Sequence, residues 1–370
     1  MTVLSGPHSL VCGGSSAAVR AEDPPQTGGW AAAAGPAGSS AVPDRVRSSV
    51  FRMGSLLSWA ASPSFARAGF PRGDESAVEF HLLGPLEVLH EGERLALGGV
   101  RQRAVLGFLL LHANTPVTTR RLIDALWDDN EPATARKILQ NAVSGLRRTL
   151  AADGGQARSA PRSLPARERG YVLHVPPHRL DLARYARLVE RGRARLVAGA
   201  WEPAARLLQE ALALWRGHAL ADLIEAGVAW PELTALEEDR WEVLGDKITA
   251  ELMLGRLAEV TAELSVVTAA EPARERLCAQ LMLALYQSGR QADALERYRR
   301  TRSAVVEELG ALPGRELRDL ERAILVQSPV IGSPGAAARL FAPRPPGQAV
   351  AGVAGRLPAG PARGFVPGRR

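Results

Sequence analysis

PATARKILQNAVSGLRRTL, residues 132–150, is the stretch on which the chain's architecture turns. It opens on Pro132, a residue favoured in a first helical turn, where a missing N–H leaves nothing unbonded. Numbered at about 100° per residue from Lys137, it separates into two faces. Ala135, Ile138, Leu139, Ala142, Val143, Leu146 and Leu150 cover one broad side and are expected to meet a core. Lys137, Asn141, Ser144 and Arg148 fall within about 40° of the opposite meridian, with Gln140 and Arg147 beside them. No acid interrupts this polar side over about five turns. Exposed helix faces ordinarily mix Glu with Lys or Arg, because opposite charges one turn apart stabilise each other. Lys, Asn, Gln and Arg also hydrogen-bond base edges in a major groove and phosphates along its rim. The face is expected to lie against DNA.

The flanking segments give this helix its place. VEFHLLGPLEVLH (78–90) has strand character with Gly84-Pro85 as punctuation, and ERLALGG (93–99) is a second short strand. VRQRAVLGFLLLHAN (100–114) is a largely buried helix ending at Asn114. PVTTRRLIDALWDD (116–129) is a second helix, with Thr118 as N-cap and Leu122, Ile123, Leu126 and Trp127 on one face. After the third helix, a Gly/Ser/Pro loop leads to RERGYVLHV (167–175), a short strand with a preceding turn. Strands, three helices and a basic hairpin make the winged-helix form of the helix-turn-helix. Arg167 and Arg169 sit where a wing crosses the neighbouring minor groove; for either alone, ordinary loop charge is nearly as good a reading.

The 370 residues allow two domains with chain left over. The net charge of +7 is carried almost wholly by arginine, with only Lys137 and Lys247 as lysines, a bias typical of a GC-rich genome. Its location is therefore more telling than its sum. Residues 78–130 hold 5 basic and 7 acidic side chains, residues 131–176 hold 8 and 3, and residues 177–331 hold 21 and 24. The basic excess coincides with the third helix and the hairpin. Residues 1–76, rich in Ala, Gly, Ser and Pro, form an expected disordered extension, and Met53 is an alternative start to Met1. Residues 77–176 form the winged-helix domain and 177–331 a helical domain. Residues 332–370, with 6 arginines and no acid, form an expected disordered tail.

From Asp181 to about Gln327 the pattern is amphipathic helix throughout. Gly255 and Gly289 are 34 residues apart, the tetratricopeptide period. Leu281, Ala284, Leu285 and Tyr286 precede the second of these glycines; Ala294 and Tyr298 follow it. Trp201, Ala204, Leu208 and Ala211 follow Gly199, which lies 56 residues before Gly255, one repeat plus an insertion. Trp201, Trp215, Trp230 and Trp241 are expected to pack in the core rather than to cage a ligand. The fold class expected is thus mainly α, a winged helix followed by an all-α tetratricopeptide-like domain.

Enzyme chemistry finds no foothold. There is no HExxH, no paired Cys/His spacing and no GxSxG elbow, and neither lysine lies in a GxxxxGK[ST] loop. His174 and His178 are separated by Pro176 and Pro177, which rules out a helical ligand pair. Neither metal nor cofactor is expected. Cys12 and Cys278 suggest no disulfide framework, no apolar run reaches membrane-span length, and no signal peptide is evident, so a cytoplasmic, nucleoid-associated protein is expected.

LGPLEV, RQRAVLGFLLLHAN, RLIDALW, LQNAVSGLRRTL and GYVLHVPPHRLDLARY, in that order, closely resemble the SARP-type activators of antibiotic gene clusters over about residues 78–327. Those proteins join an OmpR-like winged helix to a tetratricopeptide-like bacterial transcriptional activator domain. The resemblance implies a side-by-side dimer on double-stranded DNA carrying a direct-repeat operator near a promoter, and recruitment of RNA polymerase. It also implies that the loop WDDNEP, through Asp128, Asp129 and Asn130, touches polymerase; helix-end and turn chemistry explains these residues equally well. Gly145 departs from the pattern, since relatives commonly carry Arg there. A side-chain contact to DNA is expected to be missing, and glycine costs about 1 kcal/mol of helix stability against alanine. The alternative from another class is a tetratricopeptide adaptor that binds a peptide and retains a vestigial DNA-binding domain.

Overall fold

A computed structural model describes residues 78–127, 130–152, 166–167, 170–333 and 335–341. The N-terminal extension, with Cys12 and Met53, lies outside the described residues. The ordered chain opens with β1 (Val78–His81), β2 (Glu87–His90) and β3 (Glu93–Arg94), an antiparallel sheet in which Phe80 pairs with Val88. Next come α1 (Val100–Leu111), β4 (Val117–Thr118), α2 (Thr119–Trp127) and α3 (Ala135–Ala152). The hairpin β5 (Ala166–Arg167) and β6 (Gly170–Tyr171) pairs with β4 through β6. This is a winged helix. The run Ala104–Leu111 of α1 is buried without a break, as befits a helix that is apolar all round. Thr118 caps α2, its Oγ1 accepting the Arg121 N–H at 3.2 Å.

One expected boundary shifts. Helix α3 begins at Ala135, three residues after Pro132. The Pro132 carbonyl accepts the Ala135 N–H in a turn, and the first helical bond runs from the Ile138 N–H to the Thr134 carbonyl at 3.0 Å. A residue without an N–H suits that turn as well as it suits a helix start.

The remaining chain is helical: α4 (Asp181–Val197), α5 (Trp201–Leu212), α6 (Ala221–Glu225), α7 (Pro231–Met253), α8 (Leu257–Ala270), α9 (Glu275–Gln287), α10 (Gln291–Leu309), α11 (Arg315–Leu325), α12 (Pro329–Gly332) and α13 (Ala336–Leu340). The hairpins α4–α5, α7–α8 and α9–α10 turn on Gly199, Gly255 and Gly289, with φ of 70°, 74° and 78°. Each turn carries the same bond pair: Gly199 to Leu196 with Ala200 to Arg195, Gly255 to Leu252 with Arg256 to Glu251, and Gly289 to Tyr286 with Arg290 to Leu285. That is the Schellman closure, which needs the left-handed conformation glycine tolerates best. The repeat seen in the sequence is therefore a repeat of helix endings. Trp215 and Trp230 are buried, and Trp201 and Trp241 pack at the edges of the two cores.

The extra 22 residues between Gly199 and Gly255 (56 − 34) include α6, and α6 packs on α1. Leu220 and Leu223 fill the space beside Gly107, and the Leu220 and Arg216 N–H groups bond the Leu82 and Leu83 carbonyls at 3.0 and 2.7 Å. Asp222 bonds the Leu86 N–H at 2.7 Å and pairs with Arg103. From the start of the helical region, Asp181 takes the Leu82 and Leu83 N–H groups at 2.8 and 2.9 Å and the Leu182 N–H at 2.7 Å. Burial pushes its carboxyl above the usual carboxylate range, against the lowering pull of those bonds. One apolar core consequently runs from β1 through α1–α3 into α4, α5 and α7. A second core lies under α8–α11, and it also holds Ala336, Ala337 and Phe341. The fold thus extends past 331, where an unstructured tail was expected to begin; small apolar residues there seal the second core.

Two predictions follow from the junction. Asp181→Ala strands two or three buried N–H groups at about 1–3 kcal/mol each, so urea denaturation of the variant should show a loss of several kcal/mol. At the α1–α7 contact, Glu232 lies 3.1 Å from Arg121 and 3.5 Å from His112. Burial works to raise the Glu232 carboxyl, but His112 and Arg121 outweigh it and hold it below its ordinary value. Its stabilisation is therefore complete above the unfolded pKa and lost as pH falls through the folded one. A Glu232→Gln protein should show a shallower acid decline in urea midpoint than the parent; equal slopes would contradict the assignment.

Candidate nucleic-acid interface

Helix α3 is oriented by its apolar side. Ala135, Leu139, Val143 and Leu146 are buried in the first core, and Ile138, Ala142 and Leu150 are half-buried. Burying each leucine contributes roughly 1.5–3 kcal/mol. Lys137, Gln140, Asn141, Ser144 and Arg148 all stand exposed on the far side, and Arg147 is half-buried beside them. The structure thus brings the helical residues singled out in the sequence onto one face. Arg136 joins them: it is exposed at the start of α3, and the basic pair Arg136-Lys137 was the available signal for it.

The electrostatic setting of this face differs from that of many surface arginines. Surface arginines elsewhere are commonly paired: Arg120 with Asp124 and Glu131, Arg276 with Glu242 and Asp246, Arg300 with Glu296. Among the described residues no acid lies within ion-pair distance of Arg136, Lys137 or Arg148. Cations held along a helix without counter-charge suit a polyanion. Among the described residues no cluster of His, Cys, Asp and Glu forms a metal site.

Gly145 proves to face inward. It is buried, and a Cβ there would come 2.7 Å from Oε1 of Gln102 on α1. Gln102 Oε1 is the movable end of its side chain, so a larger residue at position 145 displaces Gln102 before it reaches outward.

The surroundings of α3 are anchored from both ends. Arg120 on α2 bonds Glu131 at 2.8 Å, and the Asn130 N–H bonds the Trp127 carbonyl at 2.9 Å, which ties down the approach to α3. Asn130 is exposed; Asp128 and Asp129 lie outside the described residues. In the wing, Arg167 stands opposite Gly170 in the β5–β6 register, and Arg169 lies outside the described residues. The chain beyond the wing is held by Asn114, whose side chain both donates to and accepts from the Val175 backbone, at 2.9 and 3.0 Å. Asn114 adopts φ 64°, a left-handed conformation that asparagine tolerates.

Comparison with known proteins agrees with this architecture. Residues 92–173 match the family described as transcriptional regulatory protein, C terminal, and residues 180–325 match the bacterial transcriptional activator domain. Regulatory protein DnrI of Streptomyces peucetius is 36% identical over 260 residues, covering 70% of this chain and 96% of DnrI. The chain belongs to the SARP-type family of transcriptional regulators. Transcriptional regulatory protein EmbR of Mycobacterium tuberculosis is 40% identical over 256 residues, 69% of this chain and 65% of EmbR, so the chain spans just under two thirds of that relative. A structure of Mycobacterium tuberculosis EmbR in complex with a low-affinity phosphopeptide superposes with a TM-score of 0.66 at 38% identity, covering 72% of this chain and 69% of the other. These relatives are transcriptional regulators, not enzymes. In this regulator, as in the family, the winged helix precedes the activator domain. Among its described residues no helix is long and apolar enough to cross a membrane.

The wing depends on a close backbone approach. A Cβ on Gly170 would overlap the Val117 carbonyl oxygen, so any larger residue must open the β4–β6 pairing. Gly170→Ala should speed amide exchange at Val117 and Tyr171 while leaving α4–α11 protected; unchanged exchange in β4 and β6 would contradict this.

Proposed function

We propose that this regulator is a sequence-specific DNA-binding activator that reads its operator with α3. The observation that carries the reading is the exposed, acid-free row Lys137–Asn141–Ser144–Arg148 on a helix whose opposite side is locked into the core. In this reading α3 lies in the major groove, with Asn141 and Gln140 toward base edges and Lys137, Arg147 and Arg148 toward phosphates. Arg167 and Arg169 carry the wing to the adjacent minor groove. Two protomers stand side by side on a direct-repeat operator near a promoter, and Asp128, Asp129 and Asn130 meet RNA polymerase in the cytoplasm. The family resemblance supports this arrangement and points to a secondary-metabolite gene cluster as the target.

Footprinting on the promoters beside its own gene, with a salt series against random duplex, tests the reading. A protected direct repeat with affinity above that for random DNA is expected. Equal affinity for both would leave the adaptor reading in its place. Two variants separate the roles assigned to the face. Arg148→Ala should weaken binding to all sequences and reduce the salt slope by about 1, whereas Asn141→Ala should lose about 1–3 kcal/mol of discrimination at one base pair. Identical behaviour of the two would refute the assignment.

A further inference from the structure

The first helical hairpin carries a second cationic surface, remote in sequence from α3. Arg184, Arg187, Arg191 and Arg195 are exposed along α4 and fall within about 80° of one another around its axis. The row is about 16 Å long. Toward its C-terminal end, α4 and α5 enclose an open groove of about 490 Å³ lined by Arg191, Arg195, Arg206, Pro203, Leu207 and Glu210. Among the described residues, none of the five arginines has an acid within ion-pair distance. Arg193, on the opposite side of the same helix, shows how an arginine with a structural role behaves here: it bonds Asp246 at 2.7 Å and Asp239 at 3.3 Å. The outward arginines form no such ion pair among the described residues.

We propose that this groove and the arginine row bind an acidic peptide segment of a partner protein, extended along α4. Charge complementarity identifies the partner's sign, and the other groups narrow its class. Glu210 lies within the groove, and Glu190 is exposed beside the row. A nucleic-acid strand, with a charge at every phosphate, meets repulsion at both. A peptide sets carboxylates against the arginines and a backbone N–H or a lysine against Glu210. Pro203 and Leu207 offer apolar surface to its intervening side chains. About five extended residues, at roughly 3.3 Å each, span the row. Single exposed ion pairs are weak, so recognition needs several together, and the row supplies them.

The test uses the full chain and a fluorescein-labelled peptide alternating glutamate with leucine, followed by fluorescence anisotropy. Its counterpart with glutamine for glutamate is the control, and random-sequence duplex DNA is the competing probe. Salt-sensitive binding of the glutamate peptide is expected, with none of the glutamine peptide. Arg191→Glu/Arg195→Glu should weaken it roughly tenfold or more. Arg206→Glu, from the other wall, should weaken it as well, whereas Arg148→Ala should leave it unchanged. Circular dichroism checks that the exposed substitutions preserve the helices. Absence of peptide binding, or equal binding by parent and double variant, overturns the proposal. So does a result in which the double variant loses affinity for the duplex instead, which would make this a nucleic-acid surface. Because Arg148→Ala is scored separately, failure here is distinguishable from failure of the α3 reading.

Discussion

The Asp181 carboxylate is the contact on which the rest of the molecule depends. Where β1 ends, Leu82 and Leu83 are fully buried and direct their N–H groups away from the sheet, and Asp181 accepts both. Their carbonyls are taken by Leu220 and Arg216 of the insertion before α7. A two-residue stretch of backbone thus has its polar groups satisfied from the helical region, which accounts for how a strand end can be buried in an apolar core at all. Burial raises the energy of the Asp181 charge, and three N–H donors converge on it to offset that cost, with Arg216 4.0 Å away. Other contacts reinforce the same seam: Trp230 Nε1 donates to the Ala125 carbonyl at 2.8 Å, and the Phe108 ring meets Trp230 edge-on at 5.1 Å.

Farther along, polar groups are buried in a mutually satisfied set. Tyr185 donates to Asp239 at 2.9 Å, and Arg193 reaches both Asp239 and Asp246, which Arg276 also engages. Burial opposes the charges on Arg193 and Asp239 alike; for Arg193 the two aspartates prevail and hold its pKa above the ordinary value, while Asp239 is pushed upward by burial. Arg193 and Arg276 are thus structural residues that take up the buried acids. Arg136, Lys137 and Arg148 of α3 and the outward arginines of α4 have no acid within ion-pair distance among the described residues, so charge location separates these surfaces from the paired interior where composition does not.

Much of this was legible in the residues. The apolar and polar sides of α3, the Thr118 cap and the glycine-spaced hairpins all follow from local rules, because periodicity, capping and left-handed helix endings are properties of short segments. What escaped is tertiary. The spacing around Gly199 and Gly255 shows that residues were inserted, but only the packed structure shows them lying on α1 and Leu82–Leu83. Gly145 sits near the border between the two sides of α3, and what a side chain there would meet, Gln102, is a residue of another helix. Ala336–Leu340 has the composition of a tail and becomes a helix because Phe341 and its neighbours cover apolar surface. The start of α3 differs from the expected one because Pro132 suits a turn and a first helical position equally, and here its carbonyl closes a turn on Ala135.

The insertion around α6 joins what the sequence divides. Between the wing and α4 the chain runs through Val175, bonded to Asn114, and Leu180, bridged to Phe80, before Asp181 closes on Leu82. With the bonds from Leu220, Arg216 and Asp222, these contacts tie the winged helix to the helical region at several separate points. The apolar side of α3 and the inner sides of α4, α5 and α7 therefore share one core. A stretch that reads in the sequence as slack between two repeats is thus the piece that joins the two domains.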